Sequence, residues 1–337
     1  MKSFIINKCN QLSESGIITA FLPAAIPVFM LHRVANKNDT FGGTPVELLE
    51  RYLAYLHRHK YKVLTLDECH ELITTENKIP RKVAVFTIDD GFYDHYANAG
   101  RAFSKFKMPL NFFLITDFID QKLWPWDDQI QVAISETKIN KILLSLPDGT
   151  EFHSDKTMQS TNEITKKLRD SLKQQDQTDL YPWIKNSLLP ELGITYSYDS
   201  HDNYKPMSWS NAQELHDADH GVYAHTRTHR ILSKLPIEIA EQEIVESLIT
   251  INQRLGSTQQ HFVYPTGRHC DYNENNKKVL SKNNIKLAFN TEPSYATKNT
   301  NVYDIPRFSL PNNMTDFIQY LAKFEQTKEI IRKRLFK

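Results

Sequence analysis

Glycine is scarce in this chain, 10 residues in 337, which leaves little material for loops that cradle phosphate. Neither a G-x-G-x-x-G nor a G-x-x-x-x-G-K-[ST] string occurs, so nucleotide-binding folds lose their usual signature. An excess of charge is also missing: 41 Lys plus Arg against 40 Asp plus Glu give a net +1. No overall field exists to hold a polyanion by counterion release, and a nucleic-acid partner is excluded as the first reading. The three cysteines, Cys9, Cys69 and Cys270, are odd in number and far apart, which argues against a disulfide framework and suits a reducing compartment. A long apolar run is lacking too. Residues 16–31 are mostly apolar behind Lys2 and Lys8, but Pro23 and Pro27 interrupt them and no small-residue cleavage site follows. The segment is too short and broken to span a bilayer. A cytoplasmic protein is expected, with membrane association resting at most on the tail at 328–337, where Lys328, Arg332, Lys333, Arg334 and Lys337 interleave with apolar residues. A solvated final helix is the plainer reading of that tail.

What is present describes a folded protein. Hydrophobic residues make up 40% and charged residues 24%, with 18 Phe and 15 Tyr, enough to bury a large interior. Short, continuously apolar runs at 26–31, 62–64, 83–88, 110–115, 221–224, 261–264, 286–289 and 305–308 read as strands buried on both faces of a parallel sheet. An amphipathic lead-in with Phe4, Ile5, Leu12, Ile17 and Phe21 precedes them. Helical periodicity lies between the strands. Pro45 opens a helix with Leu48, Leu49, Tyr52, Leu53 and Leu56 on one face, and Pro236 opens another with Ile244, Val245, Leu248, Ile251 and Leu255 before Gly256. The pattern predicts an α/β fold, a distorted (β/α)7-type barrel. Between about 121 and 203 the strand signals fade into polar helical text, a helical insertion expected on the catalytic face. One domain is expected over 1–337, with a catalytic core at about 26–310 and a basic C-terminal helix at about 315–337.

Three constellations could carry chemistry. The strand at 83–88 ends in Asp89-Asp90-Gly91, two adjacent carboxylates at the end where barrel enzymes keep their chemistry. Neighbouring side chains diverge, so one can bind a metal while the other faces substrate. A second pair, Asp127-Asp128, does not follow an apolar strand and reads as a solvated turn. His225-Thr226-Arg227-Thr228-His229 follows the strand at 221–224, and a four-residue spacing brings two imidazoles to one face of a helical turn. With 13 His in the chain, about half such a pair arises by chance. Indeed His216 and His220 form another, on a helix and turn at the opposite end of a barrel unit, where a structural role fits better. Third, His261-Phe262-Val263-Tyr264-Pro265-Thr266-Gly267 runs a strand into a turn whose N–H groups can face an oxyanion. By itself it is only a turn.

Taken in order, Thr87-Ile88-Asp89-Asp90-Gly91, His225 to His229 and Tyr264-Pro265-Thr266-Gly267 resemble the motifs of the polysaccharide deacetylases of carbohydrate esterase family 4, the NodB-like hydrolases. Leu31-His32-Arg33-Val34 is similar to the Tyr-His-Arg-Val that opens many exopolysaccharide-locus members, and the resemblance covers about 26–310. It implies a hydrolase that removes N-acetyl groups from N-acetylhexosamine units of a polysaccharide, oligosaccharide or lipid-linked glycan. Asp90, His225 and His229 would hold one divalent metal ion, zinc first, with cobalt, nickel or manganese as alternatives. Asp89 would be the general base, and the Thr266 N–H would share the oxyanion with the metal.

The sequence departs from the family pattern twice. Val263 stands where the third motif carries an Arg, for which Arg307 in Ile305-Pro306-Arg307-Phe308 is the candidate substitute. The late Leu-x-His that supplies the general acid is missing, and His32 is the first candidate for that role, His269 the second. Trp124 and Trp126, with Tyr264, are candidate substrate contacts, the tryptophans as stacking faces for sugar rings, although core packing is the common fate of an isolated Trp, as for Trp209. These departures leave open a different class of function, a catalytically weak or silent carbohydrate-binding barrel that keeps the metal site. A two-histidine, one-carboxylate iron oxygenase would not need Asp89.

Overall fold

The computed structural model describes residues 24–195 and 202–323. The amphipathic lead-in before residue 24 and the basic tail after 323 lie outside the described residues. Eight strands form one parallel sheet: β1 (Val28–Leu31), β2 (Lys62–Val63), β3 (Val83–Asp90), β4 (Asn111–Leu114), β5 (Gly221–Ala224), β6 (His261–Val263), β7 (Leu287–Phe289) and β8 (Phe308–Ser309). Their order is β7-β6-β5-β4-β3-β1-β8, with β2 paired to the first residues of β3. Every pairing in this sheet is parallel. Each of the eight apolar runs in the sequence contributes to it. The last run bridges the sheet's two edges: Ile305 pairs with Phe289 of β7, and Phe308 with Phe29 of β1. The sheet is thereby curled into the expected (β/α) barrel.

Alternation along the strands decides what faces the interior. Val83 and Val85 of β3 pack inside with Val28, Phe113, Val263, Leu287, Phe289 and Ile305. Ala84, Phe86 and Ile88 instead pack outward with Phe29, Phe103 and Phe112 against the helices. Helix α1 (Val46–Arg58) buries Leu49, Tyr52, Leu53 and Leu56 in that outer layer. Continuing the period from Val85 through Thr87, Asp89 is the last inward side chain of β3, at the C-terminal mouth of the barrel.

The insertion is not wholly helical. Helix α2 (Trp126–Glu136) and helix α3 (Thr161–Leu172) flank an antiparallel hairpin of Lys141–Ser145 and Glu151–Asp155. Ile142 and Leu144 are buried while Leu143 is 58% exposed, the alternation of a half-buried strand. Its partner Glu151-Phe152-His153-Ser154-Asp155 carries one large apolar residue, Phe152, which hid the strand in polar text. Asp148-Gly149 supplies the turn, Gly149 standing at φ +82. The insertion has its own cluster of buried residues, including Trp126, Ile130, Leu144, Leu168 and Leu188.

Candidate active site

The mouth of the barrel and the insertion enclose a cavity of about 580 Å³ whose lining includes His32, Asp89, Asp90, Asp127, His225, His229, Thr266 and Arg307. The first two motifs converge there. Asp90 Oδ1 lies 3.6 Å from His225 Nε2 and 3.6 Å from His229 Nε2, and one donor atom from each residue falls within 4.8 Å of the others. The backbone bends to bring them together: Asp90 stands at φ +88, Thr226 at +63 and His229 at +61, left-handed values in non-glycine residues.

Three observations test whether these residues suit a cation. His225 donates from Nδ1 to the Val263 carbonyl at 2.9 Å, which leaves the Nε2 lone pair aimed at the site. Burial, with His229 beside it, pushes the His225 imidazole down to about 3, so it is neutral and ready to ligate. Burial, then the Asp127, Asp89 and Asp128 carboxylates, push the Asp90 carboxyl well above its ordinary value. A positive charge is what this arrangement needs, and two nitrogens with one carboxylate suit a borderline divalent ion.

The adjacent carboxylate has a different environment. Asp89 is 2% exposed and is gripped by Arg307, Nη1 donating to Oδ1 at 2.9 Å and Nη2 lying 2.8 Å from Oδ2. Arg307 is fixed in turn by its Nε on the Asn290 carbonyl and by Nη1 on Thr87 Oγ1. Burial raises the Asp89 carboxyl, but the Arg307 guanidinium and His225 more than offset it, so its net shift is downward. Two neighbouring aspartates are thus pushed in opposite directions. Val263 is part of the barrel interior, and the guanidinium arrives from the segment before β8.

His32 follows β1 directly and lines the cavity. Burial in the protein pushes its imidazole down while the nearby Asp89 opposes that shift. His95, in the turn after the first motif, meets the His32 carbonyl at 2.5 Å through Nε2. Asp94 accepts from Arg33 Nε and Val34 N, so the turn bearing His32 is fastened at three points. His269 is exposed, its Nδ1 3.1 Å from the Tyr272 hydroxyl, and it is not among the cavity residues. Thr266 stands at φ +55, and among the described residues its N–H has no backbone partner.

Neither tryptophan candidate is among the residues lining the cavity. Trp126 is fully buried in the core of the insertion, its Nε1 donating to the His229 carbonyl at 3.1 Å. Trp124, 6% exposed, packs with Phe92, Phe118 and Val132. Tyr264 forms part of the wall but is buried, stacked on Tyr272 at 3.8 Å, its hydroxyl donating to the Tyr303 carbonyl. Trp209 donates to Asp120 outside the cavity. The indoles follow their large apolar area into packing contacts.

The sequence reading missed Asp127. It lies in the first turn of α2, not in a solvated turn, pairs with Arg169 at 2.6 Å and faces His229 Nδ1 at 3.8 Å. That Nδ1 is buried with no hydrogen-bond partner, and the Asp127 carboxylate is the charge that faces it. Glu243 was missed as well. Buried in the long helix α4 (Ile237–Leu255), it accepts from Arg227 N, Thr228 N, Thr228 Oγ1 and Arg230 Nη2, pinning the loop between the two histidines. Only folding brings either residue to the site.

Comparison with known proteins points to one family. A protein named as a polysaccharide deacetylase, YxkH of Bacillus subtilis (strain 168), is 28% identical over 109 residues, 32% of this chain. The alignment spans 38% of that relative's length. Among solved structures, the Streptococcus pyogenes deacetylase PplD in complex with acetate superposes with a TM-score of 0.60 at 15% identity, over 89% of this chain and 99% of its own. IcaB from Ammonifex degensii gives 0.55 at 15% identity, over 89% and 97%. At such identities these structures share the fold. The family profile described as polysaccharide deacetylase matches residues 76–288, more than half of the chain and both the Asp89-Asp90 and the His225–His229 motifs, and the chain belongs to that family.

Proposed function

We propose that this protein is a metal-dependent deacetylase that hydrolyses the N-acetyl group of N-acetylhexosamine units in a glycan. The observation that carries the reading is the pairing of an ionised, Arg307-held Asp89 with the Asp90, His225 and His229 donor set in one cavity. A divalent ion on these donors, zinc by our reading, would supply Lewis-acid activation of water and of the amide carbonyl. Asp89 accepts a proton from the attacking water, and its lowered carboxyl keeps it available as a base. The Thr266 N–H donates to the carbonyl oxygen as negative charge gathers there. His32 delivers a proton to the departing nitrogen, since an amine leaves poorly unprotonated; burial makes its imidazolium a stronger acid, though a scarcer one at neutral pH. Residues 26–310 then act as one catalytic unit, with the insertion as one wall of its pocket.

The features that favoured a silent binding barrel weaken with Arg307 on Asp89 and His32 at the cavity. The test is acetate release from N-acetylated oligosaccharides. Activity should vanish with a chelator, return with added metal, and fall roughly 10²–10⁴-fold in Asp89→Asn. Turnover indifferent to both treatments would sink the reading.

A further inference from the structure

We propose that the cavity holds a second subsite, formed by Lys173 and Arg268, for an anionic group, a phosphate or a carboxylate, on the glycan chain. The proposal rests on the deacetylase reading and specifies its substrate class. The starting observation is what the wall offers among the described residues: its aromatic residue, Tyr264, is buried and its hydroxyl engaged, so none of them presents a free ring to a sugar. Cations stand there instead. Lys166 and Arg169 on α3, Lys173 just after it, and Arg268 beyond the third motif all line the cavity.

Their pairing separates them. Lys166 is bound to Asp170 at 2.7 Å and Arg169 to Asp127 at 2.6 Å. Asp271, another lining carboxylate, accepts from Thr266 Oγ1 at 2.5 Å and from the Arg268 backbone N–H at 2.8 Å. The side chains of Lys173 and Arg268 are left without a hydrogen bond or ion pair among the described residues. Lys173 is half-buried, and burial with the Arg169 guanidinium beside it pushes its ammonium down, against Asp127, Asp170 and Asp271. Lys173 and Arg268 line the same cavity, one from just after α3 and the other from the turn beyond the third motif. A half-buried ammonium with no hydrogen-bonding partner is a costly arrangement that a bound oxyanion relieves, and Arg268 adds an exposed guanidinium to the same lining. A Lys point charge beside an Arg fork is a donor set suited to phosphate or carboxylate.

The test compares acetate release from three N-acetylglucosamine oligosaccharides: neutral, reducing-end phosphorylated, and carrying a hexuronate. A charged substrate should exceed the neutral one in kcat/KM by about tenfold or more, with the preference shrinking as salt rises. The better of the two charged substrates identifies the source of the anion. In the double variant Lys173→Gln, Arg268→Gln the preference should collapse, whereas Lys173→Arg should keep it. Equal kcat/KM on all three in the wild-type protein, or a preference that survives the double variant, would overturn the subsite. Calorimetry on Asp89→Asn, which need not turn over, separates the two readings. Tighter binding of the charged oligosaccharides, lost with Lys173 and Arg268, supports the subsite even if no acetate is released. Equal binding of charged and neutral sugars refutes it.

Discussion

Asp89 and Asp90 are chemically identical neighbours with opposite environments, and each difference can be tested one residue at a time. In Arg307→Met the buried Asp89 loses its main counter-charge, burial is opposed only by His225 and His32, and its pKa rises. The base form is then populated only at higher pH, so the acid limb of the kcat/KM profile should move upward in pH while Arg307→Lys moves it less. Leaving a buried carboxylate unpaired should also cost about 3–5 kcal/mol of stability, read by urea unfolding. An unmoved limb would show that Arg307 does not set the base. Asp127→Asn should lower metal affinity about 10–100-fold, measured by competition with a chromophoric chelator, because His229 Nδ1 then loses the carboxylate that faces it. The proposed ligands and base were legible because their motifs follow apolar strands with an unusual string of polar residues. Arg307 was legible only as the remedy for Val263. Asp127 was not, because a carboxylate on a helix of the insertion gives no sign in sequence of which imidazole it will face.

Strands were the most legible elements, since a segment buried on both faces must be apolar throughout and cannot be confused with polar helical text. The hairpin of the insertion escaped for the opposite reason, being half-buried and short. Two histidines that join elements give the fold a predictable acid weakness. His220 accepts from Leu110 N at the start of β4 and meets Ser104 Oγ at 2.8 Å, while His95 anchors the turn after β1. Burial pushes each imidazole from 6.5 to about 4. Above pH 6.5 folded and unfolded chains are both neutral at these sites. Below it the unfolded chain takes up protons that the folded chain refuses, so stability falls between about pH 6.5 and 4 and then levels off. Each contributes on the order of 3 kcal/mol across that window. The urea midpoint should therefore drop on going from pH 7.5 to 4.5, and His220→Gln should flatten the drop. An equal slope in the variant would remove His220 as a cause.

At the scale of the whole molecule, the insertion and the barrel meet at the histidine loop, and this contact changes the meaning of the aromatic residues. Trp126 Nε1 donates to the His229 carbonyl and the Tyr181 hydroxyl to the Thr228 carbonyl at 2.6 Å, while Gln177 accepts from Ile231 N at 2.7 Å. From the barrel side, Glu243 on α4 holds the same loop. The loop that carries two of the three proposed metal donors is therefore clamped between two separately packed bodies of side chains, and on that reading the insertion acts on the site by holding this loop. Tyr181→Phe removes one hydroxyl and keeps the ring. Loss of a net hydrogen bond of about 1 kcal/mol should weaken metal binding roughly fivefold, and Trp126→Phe should add to this non-additively, because both bonds restrain one loop. Leu143→Lys, on the exposed face of the hairpin, should leave metal affinity unchanged and serves as the control for the insertion's surface. If both clamp variants bound metal as tightly as the wild type while unfolding at a lower urea midpoint, the insertion would stabilise the chain without shaping the site.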